Sequence, residues 1–346
     1  MNLQEALRFS FEDKENIILC NSILGSIDAH HIAAELDNFC IHLLGSAIFS
    51  ALYIGFSVGA SFGLELENGM RIFIKIHRPT PPGTITAISH ASLTAVSSVQ
   101  KSLAEIGFPC PRVVGEPMEF GAALATVDVF SVPGELKDAH NPAIRGSIAR
   151  TLAQLIQLTE PYKSVNGLTY GRFCADDTLY PIPHNELFNF ERTSQGAEWI
   201  DAIAERAKTL VTRINGREVL GHLDWSLKHF RFQRDEVVMV YDWDSLKLED
   251  ELNVLGIAAA TFTTTWDIPV RITPSQEESL AFVNEYEQAR GTKISSDERA
   301  KISAAATYCM AYVARCEHAL DSHGNNYDGS FRQALAAMRG DLYLDV

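Results

Sequence analysis

One stretch limits what this chain can become more than any other. It runs Gly221-His222-Leu223-Asp224-Trp225-Ser226-Leu227-Lys228-His229-Phe230-Arg231-Phe232, and is followed by Val237-Val238-Met239-Val240-Tyr241-Asp242-Trp243-Asp244. The β-branched run at 237–240 signals a strand, and the polar residues Gln233–Glu236 before it form a hairpin tip. A hairpin of that length brings Asp224 and Asp242, 18 residues apart in sequence, to the same end of one ladder. Two carboxylates at one cleft suit a division of labour. One accepts a hydroxyl proton; the other holds a divalent cation against phosphate oxygens.

These residues resemble the active-site segment of the aminoglycoside phosphotransferase family, small-molecule kinases built on the protein-kinase fold. Members carry His-Gly-Asp, an asparagine five residues after the aspartate, then a hydrophobic strand and Ile-Asp-Trp followed by an acid. This chain has His222-Leu223-Asp224, His229 at the asparagine position, and Tyr241-Asp242-Trp243-Asp244. The resemblance implies that Asp224 is the catalytic base and Asp242 the main Mg²⁺ ligand, with His229 or Asp244 completing the metal site. His229 departs from the family pattern, because imidazole ligates metals but Mg²⁺ prefers oxygen. His222 is expected to brace the loop through internal hydrogen bonds, and Trp225 and Trp243 to pack behind it. The fold implied is α+β and bilobal, protein-kinase-like. It has a small lobe of antiparallel sheet plus helix (1–127), a hinge (128–134) and a large, mainly helical lobe (135–346) that carries the catalytic hairpin.

The residues before the hairpin fit that order. Apolar positions Ile32, Leu36, Phe39, Cys40 and Leu43 recur at helical spacing within a mainly helical stretch, 1–44. Ala47–Tyr53 and Ala60–Leu66 read as strands flanking a flexible turn, Gly55-Phe56-Ser57-Val58-Gly59, whose backbone N–H groups could cover phosphates. Glu67-Asn68-Gly69 is a hairpin signal, with positive φ tolerated at both Asn68 and Gly69. In the next strand, Met70–Ile76, Met70, Ile72, Ile74 and Ile76 point one way, and Arg71, Phe73, Lys75 and His77 the other. The family resemblance makes Lys75 the holder of the α- and β-phosphates and puts Phe73 against adenine. It also implies backbone contacts to the adenine edge near Asp128–Phe130, after a strand at Ala122–Val129.

Pro79, Pro81, Pro82 and Gly83 precede a helix predicted near Ile85–Ile106, whose stripe is Ser92, Val96, Val99, Leu103 and Ile106. The fold usually places a glutamate there to orient the lysine; Gln100 is the neutral stand-in. Beyond the hinge, Asn141-Pro142 opens a helix, and 160–196 reads as a loop or cap over the substrate opening. Thr273-Pro274-x-Gln276 and Ser295-x-x-Glu298 read as capping boxes, and Arg290-Gly291 as a helix end. Ile302, Ala306, Cys309, Val313, Cys316 and Leu320 form a further apolar stripe. Asp250, Glu251, Glu285, Glu317 and Asp321 are expected on solvated faces, with a lining for a cationic substrate as the sharper alternative.

Composition sets outer limits. A formal net charge of −15 argues against nucleic acid or an anionic membrane as partner. Six cysteines without a Cys-x-x-Cys pair suggest neither a zinc site nor a disulfide framework and fit a reducing, cytoplasmic setting. From Asn38 to Leu64 no Asp, Glu, Lys or Arg occurs, but His42 and four glycines interrupt the run, so strands and a turn explain it better than a membrane span. The function expected is ATP- and Mg²⁺-dependent transfer of the γ-phosphate to a hydroxyl of a small molecule, an antibiotic or a metabolite, with a cationic acceptor among the candidates. The rival is a catalytically silent nucleotide-binding pseudokinase. Metal-dependent hydrolysis has little support, because no second histidine sits at ligand spacing. Oligomeric state is not readable.

Overall fold

The structure, a computed structural model, describes residues 1–78, 80, 88–171, 173, 178–183, 187–323, 329–338 and 342–343. The chain divides into two compact units, one built from the chain up to Val132 and one from Pro133 onward.

The first unit begins with helices α1 (Leu3–Ser10), α2 (Lys14–Leu24) and α3 (Ala29–Leu44), followed by strands β1 (Ile48–Phe56), β2 (Gly59–Leu66) and β3 (Arg71–His77). Helix α4 (His90–Glu105) and strands β4 (Met118–Phe120) and β5 (Ala123–Val129) complete it. The strands form one antiparallel sheet in the order β1-β2-β3-β5-β4. Alternation along β3 decides what each face does. Ile72, Ile74 and Ile76 are fully buried and join Phe62, Leu64 and Val127 in a core closed by Leu7, Ile32, Leu36 and Cys40 from the leading helices. Phe73, Lys75 and His77 stand on the opposite face, where α4 rests through Leu93 against Leu124.

Several local expectations change. The glycine-rich turn shrinks to Ser57-Val58, because Gly55 and Gly59 are both strand residues. At the next hairpin only Gly69 has positive φ (81°). Helix α4 starts at His90, capped by Ser89; the proline cluster and most of the predicted helix start lie outside the described residues. Ile106, placed on its apolar stripe, is 57% exposed, because the helix ends at Glu105.

The second unit is dominated by helices: α5 (Pro142–Thr159), α6 (Glu198–Val211), α7 (Glu251–Thr261), α8 (Gln276–Arg290), α9 (Ser296–Leu320) and α10 (Phe331–Ala337). Asn141 caps α5 as the sequence suggests, and Gly291 ends α8 with φ 74°. The cap of α8 is Ser275 with Glu278 rather than Thr273 with Gln276. Helix α9 is buried nearly all round from Lys301 to Tyr312, so its predicted stripe is only part of its buried surface; Leu320, at its end, is exposed. Two short antiparallel ladders complete the unit. One pairs β6 (Glu218–His222) with β9 (Leu246–Asp250); the other is the expected hairpin of β7 (Phe230–Gln233) and β8 (Glu236–Val240).

Five cysteines are buried and free; Cys174 lies outside the described residues. Burial pushes the Cys20, Cys40, Cys110 and Cys316 thiols up to about 12, so these are inert core side chains. Among the described residues no single helix is long and apolar enough to cross a membrane.

Candidate active site

The β7–β8 hairpin returns the chain as its spacing requires, with Phe230 opposite Val240 and the Tyr241 N–H donating to the His229 carbonyl at 2.9 Å. The loop before β7 and the turn after β8 therefore meet. His229 Nε2 lies 3.0 Å from Asp224 Oδ2 and 3.7 Å from Asp242 Oδ2. One donor atom from each of Asp224, His229 and Asp242 lies within 4.8 Å of the others, and this is the one such ligand grouping among the described residues. Two carboxylates and an imidazole at this spacing are a donor set that fits a divalent cation.

His222 fastens the two segments together. It is fully buried; its Nδ1 accepts from the Asp224 N–H at 3.2 Å, and Nε2 lies 3.1 Å from the Tyr241 carbonyl. A backbone N–H can only donate and a carbonyl can only accept, so the proton sits on Nε2 and the ring is neutral. Burial is the first cause of its lowered pKa, with His229 adding to it. Trp225 and Trp243 are buried behind it, their indole N–H groups donating to the Ile148 and Val240 carbonyls.

Each acid has a different setting. Asp224 has two nitrogen partners on one oxygen: Lys228 Nζ at 2.9 Å and His229 Nε2 at 3.0 Å on Oδ2, while Ser226 Oγ donates to Oδ1 at 2.6 Å. Burial by itself would raise its pKa, but Lys228 and His229 outweigh that and hold the carboxyl well below the usual range. Asp242 has φ 67°, in the left-handed region that a non-glycine residue enters at a cost, and Ser245 Oγ donates to its Oδ2 at 3.1 Å. Asp244 is not part of the cluster. It is buried, and its charge opposes the burial that lowers the pKa of the equally buried Lys247. Lys228 and Ser226 were not singled out in sequence; the available signal was a lysine four residues after the aspartate, which the 3₁₀ turn Leu227–His229 brings back.

In the first unit, Lys75 and Phe73 share a face of β3, in register with Ser61 and Gly63 of β2 and with Thr126 and Asp128 of β5. Phe73 stacks on Phe130 with centroids 6.4 Å apart and sits 6.2 Å from Tyr53. Tyr53 is half exposed and was not anticipated. In the turn expected to cover phosphates, the Ser57 N–H donates to the Gly59 carbonyl at 3.0 Å. Gly59 has a packing reason to be glycine: a Cβ there would lie 2.7 Å from the Ile76 carbonyl oxygen. Part of the backbone expected at the adenine edge is engaged within the first unit. The Val129 and Phe130 N–H groups already donate to the Arg112 and Arg71 carbonyls, and Asp128 Oδ1 accepts from Gln100 Nε2 at 3.0 Å. Gln100 is buried and also donates to the Pro111 carbonyl, so its amide N–H groups tie α4 to β5.

No protein-family model matches the chain, and no curated protein matches it. Solved structures do. Amicoumacin kinase, solved with AMP-PNP, Ca²⁺ and Ami, is 12% identical with a TM-score of 0.62, the match covering 90% of this chain and 94% of that one. The chain has the aminoglycoside phosphotransferase-like kinase fold. Spectinomycin phosphotransferase, solved with ADP and spectinomycin, shares this kinase fold at 13% identity and a TM-score of 0.56, over 89% of this chain and 99% of that one. An ethanolamine kinase from Plasmodium vivax shares it at 13% identity and a TM-score of 0.51, over 83% and 80%.

Proposed function

We propose that this protein is an ATP-dependent kinase that transfers the γ-phosphate to a hydroxyl of a small molecule. The observation that carries the reading is the gathering of Asp224, His229 and Asp242 at the end of one hairpin, in a chain with a kinase fold. Asp224 orients the acceptor hydroxyl and takes its proton as the oxygen bonds to phosphorus. Lys228 keeps that carboxylate anionic, so its part is more orientation than strong basicity. Asp242 and His229 would hold a divalent ion, Mg²⁺ in the simplest case, which would neutralise charge on the phosphate oxygens. Lys75 binds the α- and β-phosphates, and Phe73, with Tyr53 and Phe130 beside it, offers a flat surface to the base. Phosphoryl transfer gains most of its rate from positioning and charge neutralisation, and this set of residues supplies both.

The neighbours named above are named for amicoumacin, spectinomycin and ethanolamine. Acceptors that varied support a hydroxylated small molecule as the class and favour no member of it. The test is ADP release from Mg·ATP across aminoglycosides, macrolides, choline and small sugars. For an acceptor that turns over, Asp224→Ala is expected to cut kcat by roughly 10²–10⁴-fold while leaving AMP-PNP affinity within several-fold. Unchanged turnover in that variant removes Asp224 from the reaction.

A second reading, a nucleotide-binding protein without turnover, is favoured by Gln100, which stands where the fold usually has a glutamate and is engaged with Pro111 and Asp128. Nucleotide binding with no ADP release on any acceptor would support it.

A further inference from the structure

We propose that the metal position of this site selects Mn²⁺ over Mg²⁺, with the His229 imidazole bound directly to the ion beside Asp242. The proposal rests on the kinase reading above and concerns which ion that kinase uses.

Geometry supplies the first argument. His229 Nε2 faces both carboxylates, at 3.0 Å from Asp224 and 3.7 Å from Asp242. It does not get there by a loose side chain. The His229 N–H donates to the Ser226 carbonyl at 3.0 Å, and its own carbonyl accepts from Tyr241 at 2.9 Å, so the backbone is held from both sides and the ring is only 16% exposed. Among the described residues, no further His, Cys, Asp or Glu joins this grouping to make up a set of carboxylates alone; Asp244, the nearest acid in sequence, lies outside it.

Donor chemistry supplies the second. Mg²⁺ demands near-ideal octahedral oxygen ligation and gives up water reluctantly. Mn²⁺ shares the octahedral oxygen preference of Mg²⁺ but is a first-row transition ion, the weakest binder of mixed nitrogen and oxygen sites in that series, and it accepts an imidazole more readily than Mg²⁺ does. Coordination through Nε2 needs its proton relocated to Nδ1, which costs the hydrogen bond to Asp224 and is repaid only by an ion that bonds nitrogen well.

Charge supplies the third. Lys228 Nζ sits 2.9 Å from Asp224 Oδ2 and already offsets one of the two carboxylates. A site with reduced negative charge loses attraction for any dication. The loss falls hardest on Mg²⁺, whose binding is almost purely electrostatic, and the nitrogen bond offsets it for Mn²⁺.

The test uses the full chain, with AMP-PNP as the nucleotide. Calorimetry measures its affinity with Mn²⁺ and with Mg²⁺, for the wild type and for His229→Asn. Pulsed EPR on the Mn²⁺ complex of protein labelled with ¹⁵N-histidine reads the bond itself. The expected result is a several-fold wild-type preference for Mn²⁺ that shrinks in His229→Asn, together with a ¹⁵N coupling of a directly bound imidazole that the variant lacks. Absence of that coupling in the wild type overturns the proposal whatever the affinities, and needs no variant to fold. Equal affinity with the two ions also overturns it, and leaves the kinase reading standing because nucleotide still binds. No AMP-PNP binding with either ion overturns the kinase reading, and this proposal with it.

Discussion

His222 shows how one buried side chain can position reacting groups it never touches. Its ring joins the Asp224 N–H to the Tyr241 carbonyl, and it can do so only while neutral. Its folded pKa lies below the ordinary 6.5, so as pH falls through that value the unfolded chain gains a proton that the native state refuses. His222 therefore lowers stability as pH drops below about 6.5. In thermal melts from pH 7.5 to 5.5, His222→Gln is expected to show a shallower fall in Tm than the wild type; parallel slopes would remove this histidine from the pH response. Asp242 makes a second case. Its left-handed backbone favours Asn over Ala at that position, so Asp242→Ala is expected to lose about 1 kcal/mol relative to Asp242→Asn, read by urea unfolding. Both variants are expected to weaken metal·AMP-PNP binding in calorimetry. The His-x-Asp and Asp-Trp-Asp motifs made these residues visible in sequence. Lys228 was not, because its role depends on a turn that brings it back onto Asp224.

Elements were legible in proportion to how clearly their surroundings have two sides. Strand β3 has one buried face and one partly open face, so its alternation was plain. Helix α7 is buried along its whole length and shows no stripe, so only the helical character of the chain after the hairpin was readable, not the bounds of α7; α6, β6 and β9 were not anticipated. Gly256 explains how α7 comes so close to α9: a Cβ there would lie 2.6 Å from Ala305 Cβ and 2.7 Å from the Ile302 carbonyl oxygen. Helix propensity alone would have Gly256→Ala stabilise by about 1 kcal/mol. Overpacking against backbone reverses the sign, and a net loss of about 1–3 kcal/mol is expected, measured by denaturant unfolding. A gain in stability would mean the two helices can separate at little cost. The glycine-rich turn is shorter than its glycines suggested, for a related reason. Gly59 is there to let β3 approach, which no single-strand pattern reports.

Over the whole molecule, the acidic composition looked like a solvated surface or a pocket for a cation; in the second unit several of these acids are paired within the fold, while Asp321 is 57% exposed, as a solvated face requires. Glu285 pairs with Arg145, Asp250 with Lys301, and Asp321 with Arg332, while Glu317 caps the start of α10 through the Phe331 and Arg332 N–H groups. Glu251, 1% exposed, accepts from Arg217, Arg290 and Tyr286 at once. Removing its carboxylate leaves a guanidinium and a phenol without their acceptor, so Glu251→Ala is expected to cost about 3–5 kcal/mol, seen as a large fall in Tm. A near-neutral result would show these ions to be readily solvated. The sequence by itself determined the hairpin that joins Asp224 to Asp242, the alternation that puts Lys75 and Phe73 on one face, and the caps at Asn141 and Ser295, because each depends on residues near one another in the chain. Only the tertiary structure decided the neutral form of His222, the two nitrogen partners on Asp224, the exclusion of Asp244 from the cluster and the pairing of the acids. Those depend on which distant groups share a space closed to water, and burial and charge act through that space rather than along the chain.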